Sequence, residues 1–310
     1  MSQQGLGTRK PRFQGRLVDL LLLVAAFFWG ASYLAAKALT QVSSVFGLLS
    51  LRFLIASALL VAIRSFKPVK FTADDLRIGV LIGLGLAATI GTETQGIAIT
   101  SATNAGLIIS LAIIITPITE GIWMRSFLPP VFFVAAVVAV VGVALLVGAN
   151  GFHAPNWGDA LMLVAALLRG IYTAAQGRWT SGKPVNSLNL TILHTGVAGI
   201  IFFLLDVRGS IAAATGYGLR EWGILLFLIL LCTVFGFFAM MWSIRRTSAS
   251  RVSLLLGTEP VWAVVVSVAI GGEKLGWVGA IGAALIIGGC YFGLGVEGKH
   301  RRRATLPADF

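Results

Sequence analysis

Two stretches of this chain repeat one another: DLLLLVAAFFWGASYLAAKA, Asp19–Ala38, and DALMLVAALLRGIYTAAQGR, Asp159–Arg178. Aligned without a gap, they share the aspartate, two leucines, Val-Ala-Ala and a glycine, Gly30 and Gly170, 140 residues apart. A second echo sets IAITSATNAG, from Ile97, against IRRTSASRVS, from Ile244, 147 residues on. Apolar runs match by chance, so one echo alone would say little. Two echoes at nearly equal offsets point to an internal repeat.

The chain is 57% hydrophobic and 12% charged. Soluble domains carry roughly a quarter charged residues, so the composition is that of a membrane protein. Crossing the hydrocarbon core takes about 20 apolar residues. Windows of that length fit at 17–39, 45–64, 76–97, 101–123, 129–148, 157–178, 187–205, 221–243, 248–270 and 275–296. Turn residues such as Lys67-Pro68, Pro129-Pro130, Asn150-Gly151 and Gly271-Gly272 separate them. The pattern predicts an all-α membrane protein of ten transmembrane helices. Residues 1–150 form a first five-helix repeat with a basic tail, and 151–310 a second. Five is odd, so the second copy must enter from the opposite face. Two inverted repeats are the architecture that supports alternating access in secondary transporters.

The net charge of +12 raises the question of nucleic acid, but in a membrane protein the placement of charge matters more than its sum. Arg9, Lys10, Arg12, Arg16, Arg64, Lys67, Arg77, Arg125, Lys183, Arg245, Arg246, Arg251 and Arg301 all fall on the side of the termini. Arg208, Arg220 and Lys274 fall opposite. By the positive-inside rule both ends are cytoplasmic, in a bacterial inner membrane, and the basic residues are anchors beside anionic lipid. The first apolar run is too long for a cleaved signal and reads as an anchor.

No enzyme motif stands out: HExxH, GxSxG, CxxC and GxxxxGK[ST] are missing, and His153, His194 and His300 are scattered. Cys232 and Cys290 lie within apolar runs and read as small core residues. The reading is therefore no enzyme, no metal and no cofactor, with partners limited to a small solute and membrane lipid. Small-xxx-small patterns, among them Gly289 and Gly293, permit close helix contact in a monomer or a homodimer. A channel or a lipid scramblase competes with a carrier, and saturable flux separates them.

Polar side chains inside the spans are the candidate site. Trp29, Ser32, Tyr33 and Lys37 share one helix face, and Arg169, Tyr172, Thr173 and Gln176 share the matching face of the repeat. These stripes are either helix packing or the wall of a cavity. Lys37 reads as snorkelling near its helix end, while Arg169 sits mid-span and needs water or a partner. Glu93 is either a cavity carboxyl or the partner of Arg169 or Arg52. Arg52 reads as a packing residue, Glu120 as snorkelling, and His194 as packing. Trp29 and Trp262 lie at mid-span, too deep for an aromatic belt. Leu22 and Leu163 read as lipid-facing. In span 9, Pro260 and Gly257 predict a bend that frees the Leu256 carbonyl. Glu259 then either pairs with Arg169, or joins that carbonyl and Trp262 in holding a substrate amine.

Four segments resemble the drug/metabolite transporter superfamily in its EamA-type branch: FFWGASYLAAKAL at Phe27–Leu39, LRFLIASALLV at Leu51–Val61, TSATNAG at Thr100–Gly106, and TEPVWAVVVSVAIGGEKL at Thr258–Leu275. The resemblance covers nearly the whole chain. It implies an exporter of small metabolites with a central cavity between two halves, and overall similarity suggests amino acids, the aromatic kind included. The first half departs from the pattern: Ile113 stands where a proline is expected, Pro117 follows a turn later as a candidate break, and WMRSF replaces the usual Gly-Glu.

Overall fold

The computed structural model describes residues 10–66, 70–100, 102–148, 156–271 and 276–305. Among the described residues every regular element is helical. In chain order these are α1 (Lys10–Thr40), α2 (Val45–Ser65), α3 (Ala73–Ile99), α4 (Ala102–Ile109), α5 (Ala112–Met124), α6 (Pro130–Gly148) and α7 (Trp157–Thr180). There follow α8 (Ser187–Leu205), α9 (Val207–Gly216), α10 (Leu219–Phe227), a π-helical stretch (Leu228–Phe235), α11 (Gly236–Ile244), α12 (Ala249–Leu256), α13 (Glu259–Gly271) and α14 (Trp277–Thr305). Among the described residues eight helical runs are long and apolar enough to cross a membrane, and Pro130–Leu146 is a shorter apolar helix. The expected ninth span is the pair α12 and α13, interrupted at Gly257 and Thr258. The short helix α9 has no counterpart in the sequence reading.

The helix ends follow from local chemistry. Thr72 and Asp75 make a reciprocal capping box at the start of α3, as Asn156 and Asp159 do for α7. Asn186 accepts from the Leu188 and Asn189 amides to open α8, and Ser248 from the Arg251 amide to open α12. Asp206 opens α9, accepting from the Gly209 amide at 2.8 Å and from the Ser44 hydroxyl. These two donors hold its carboxyl below the usual carboxylate range.

Contacts sort the helix ends onto two faces. Asp19 of α1, Arg251 of α12 and Glu297 of α14 meet in one ion cluster. Asp75 of α3 accepts from Asn189 of α8 on the same face. At the other face Thr100, after α3, bonds Asp159 of α7, and Ser44, before α2, bonds Asp206. α6 packs along α14, α2 along α8, α3 against α7 and α8, α5 against α7, and α1 against α13 and α11.

The repeat glycines sit at close helix crossings. A Cβ on Gly30 would fall 2.7 Å from the Ala263 amide nitrogen and from the Glu259 carbonyl. One on Gly170 would fall 2.4 Å from Ile115 Cγ2. Neither helix could carry a side chain there without separating. The outward surfaces are apolar, with Leu34, Leu84, Val134, Leu163, Leu204 and Ile287 exposed. Leu163 faces outward as expected, whereas Leu22 is fully buried against the neighbouring helices.

Candidate functional site

Both interrupted segments meet at the middle of the bundle. At Ser110 and Leu111 the α-helical ladder gives way to tight turns, with Ser110 N bonding Leu107 O at 3.2 Å and Leu111 N bonding Ile108 O at 3.1 Å. Pro117, expected to be the break, lies inside α5, and the interruption comes before it. In the second half Thr258 N reaches back only to Leu255 O, and Glu259 opens α13 with Pro260 beside it. A first-turn proline gives up an amide that has no intrahelical partner anyway. Gly257 has φ −62, which any residue adopts. It is needed because a Cβ there would fall 2.4 Å from Ile113 Cδ1 of the other broken segment. The Ser253 hydroxyl bonds the Ala112 carbonyl across the same junction at 3.1 Å.

Around this junction lies a cavity of about 100 Å³. It is lined by Trp29, Ser32, Tyr33, Glu93, Arg169, Tyr172, Gly257, Glu259 and Pro260, all singled out in the sequence. Arg52, Thr89, Thr94, Ser110, Thr173, Phe237 and Ser253 complete its polar and aromatic wall. Gln176 is buried away from the lining. Trp262 also lies outside it and packs edge-on against Phe27 at 5.7 Å.

The cavity's charge is concentrated in one triad. Arg169 Nη2 lies 2.7 and 2.6 Å from the two oxygens of Glu93. Its Nη1 lies 3.5 Å from Glu259 Oε2. Of the two partners left open for Glu93, Arg169 makes the contact. Tyr33 lines the same cavity as Glu259. The Tyr172 hydroxyl is buried and has no hydrogen-bond partner among the described residues, so its donor is available in the cavity wall.

The two arginine positions rest on different supports. Arg52, read as a packing residue, lines the cavity, and its Nε donates to Thr233 Oγ1 at 2.7 Å. A charge count could have found it: spans holding Arg169, Arg52, Glu93 and Glu259 leave Arg52 over once Arg169 takes both carboxylates. The Trp29 indole donates to the Cys232 carbonyl at 2.7 Å, leaving its ring faces for the wall. His194 is buried and packs against Phe237 at 5.6 Å, as a packing residue would.

At the termini's face polar contacts seal the bundle. Arg251 pairs with Asp19 at 2.7 Å and with Glu297 at 3.1 Å. Glu120 does not reach for solvent. It accepts from the Ala249 amide at 3.1 Å, the Ser250 amide at 2.8 Å and the Ser250 hydroxyl, capping the free amides of α12.

An apolar multi-helix bundle around a polar central cavity is a layout suited to carrying a solute across a membrane. The EamA-like transporter family matches residues 16–148 and again 156–294, and the chain belongs to that family. It is similar to an uncharacterized transporter of Archaeoglobus fulgidus, 28% identical over 271 residues, covering 87% of this chain and 83% of the relative. It is also similar to the uncharacterized transporter YyaM of Bacillus subtilis, 23% identical over 290 residues, covering 90% and 94%. A solved crystal structure shares the fold with a TM-score of 0.76 at 19% identity, covering 94% of this chain and 99% of that one.

Proposed function

We propose that the protein is a secondary carrier that exports small metabolites, amino acids with aromatic or other apolar side chains foremost, by alternating access. Two inverted five-helix repeats, residues 1–150 and 151–310, flank its cavity, and both termini face the cytoplasm of a bacterial inner membrane.

The observation that carries this reading is the pairing of the two interruptions beside the Arg169 triad. Ser110 and Gly257 are 147 residues apart, the offset of the second sequence echo. Gly30 packs on Trp262 and Ala263, as Gly170 packs on Ile115 and Thr116, and these contacts exchange under the same offsets. The helix pairings exchange likewise: α3 on α7 corresponds to the α10–α11 segment on α1, and α4 and α5 on α7 to α12 and α13 on α1. The twofold family match supports the same division. Halves related in this way can rock about a central site, which is how alternating access works. Charged groups beside the aromatic faces of Trp29, Tyr33 and Phe237 suit an amino acid with an apolar side chain.

The test is uptake of radiolabelled amino acids, amines and sugars into proteoliposomes, with and without a pH gradient. A carrier gives flux that saturates and is accelerated by unlabelled solute on the far side. Linear flux without that acceleration refutes the carrier and leaves a channel; scrambling of labelled lipid without solute flux leaves a scramblase.

A further inference from the structure

Arg52 is a buried cation for which no carboxylate partner is found among the described residues. It is 9% exposed and lines the cavity. Its Nε is held by Thr233, and its Cζ lies 5.4 Å from the Phe53 ring centroid. The four N–H donors on its two Nη atoms meet no protein acceptor among the described residues. Cations are seldom left this way inside a membrane, where they pair or face a water-filled path. The free edge of the guanidinium is the two-pronged donor that matches a carboxylate.

The support beneath Arg52 is purpose-shaped. Thr233 sits in the π-helical stretch, and its hydroxyl donates to the Leu228 carbonyl, five residues back, at 2.9 Å. That bond orients a lone pair toward Arg52 Nε. π-helical turns inside longer helices are frequent at functional sites. One residue earlier, the Cys232 carbonyl anchors Trp29. A single irregular stretch thus positions both a cation and an aromatic face of the cavity. Glu259 lines the same cavity, and its contact with Arg169 is long, at 3.5 Å.

We infer that Arg52, positioned by Thr233, is the subsite for a solute carboxylate, with the solute's ammonium directed to Glu259. The cavity then takes a zwitterion end to end. This deepens the carrier reading and rests on it for the solute's route, although the subsite can be measured without transport.

The probes are 3-phenylpropionate and its uncharged amide, titrated against thermal unfolding of the detergent-purified full chain. The acid should bind about 10- to 100-fold more tightly than the amide, as expected for a charge-assisted pair. Arg52→Gln should reduce that preference to about threefold or less, and Thr233→Val, which keeps the charge, should reduce it partway. Retention of the full preference in Arg52→Gln overturns the subsite, as does an equal shift from chloride at matched ionic strength. A second readout uses the native protein: 3-phenylpropionate should slow modification of Arg52 by phenylglyoxal and leave Arg169 unaffected. No protection at Arg52 overturns the inference even where the variants fail to fold. If protection holds while flux never saturates, the carrier reading falls and the subsite stands.

Discussion

Replacing Glu93 with glutamine alters one atom and removes one charge, and the structure says what that costs. Arg169 loses the partner whose oxygens lie 2.7 and 2.6 Å away, and keeps only Glu259 at 3.5 Å. The side chains of Arg169 and Glu93 are 21% and 7% exposed, so water replaces little of the lost pairing. Breaking a buried pair by removing one partner costs about 3–5 kcal/mol. Glutamine keeps an amide oxygen that still accepts, which places Glu93→Gln near the lower bound, about 3 kcal/mol. At about 2–4 °C per kcal/mol, melting should fall by roughly 6–12 °C. Glu259→Gln breaks a contact at the edge of pairing distance and leaves Arg169 its main partner, so its cost is about 1 kcal/mol, or roughly 2–4 °C. The assay is tryptophan-monitored unfolding of detergent-purified protein. Adding Arg169→Gln to Glu93→Gln should recover most of the loss, because the uncompensated charge has gone. Equal shifts for the two glutamate variants, or a double variant whose losses simply add, would refute the geometry. Glu259→Gln should instead weaken binding of amine-bearing solutes selectively.

Three further outcomes follow from particular contacts. Gly30→Ala places a methyl 2.7 Å from two backbone atoms of α13, so it should cost about 1–3 kcal/mol, measured as a lower melting temperature than Gly288→Ala, where no atom lies within 4 Å. Asp206 has its folded pKa held below its unfolded value by Ser44 and Gly209. Its stabilisation is therefore present above the unfolded pKa of about 3.9 and is lost as pH falls through the folded value; the melting difference between native protein and Asp206→Asn should hold from neutral pH down toward 5 and close in stronger acid. Cysteines at Tyr33 and Tyr172 should react with a polar thiol reagent and be protected by solute, while a cysteine at exposed, lipid-facing Leu163 should show no such protection; equal behaviour at all three positions would remove these tyrosines from the cavity path.

The outline of the bundle was readable because membrane helices announce themselves by length and apolarity. Gly30 and Gly170 carried the repeat because each marks a helix crossing, where sequence and packing constrain one another directly. The Arg169 triad was readable too, since a mid-span arginine must find a partner and few carboxylates were available. Other features depend on contacts that local sequence does not encode. LILLCTVF, Leu228–Phe235, has neither glycine nor proline to mark an irregular turn; Trp29 and Arg52, remote in sequence, bond its Cys232 carbonyl and its Thr233 hydroxyl. The interruption at Ser110–Leu111 is equally unmarked, because the nearby proline lies beyond it. Glu120 looked like a solvent-seeking charge only because the open amides of α12 are invisible until α5 and α12 are seen together.

The π-helical stretch also gives the bundle slack. Its bonding spans five residues where an α-helix spans four, so it takes in chain that an α-helix would have let out along its axis. Tightening it into an α-helix would turn the segment beyond Phe235 by about 100° and advance it about 1.5 Å for each residue released. Phe237 and Met240, both on the cavity wall, would swing to new bearings. The bonds from Trp29 to Cys232 and from Arg52 to Thr233 would part in the same movement. Those two bonds therefore act as clips that keep the stretch in its wider winding, and parting Arg52 from Thr233 removes one of them.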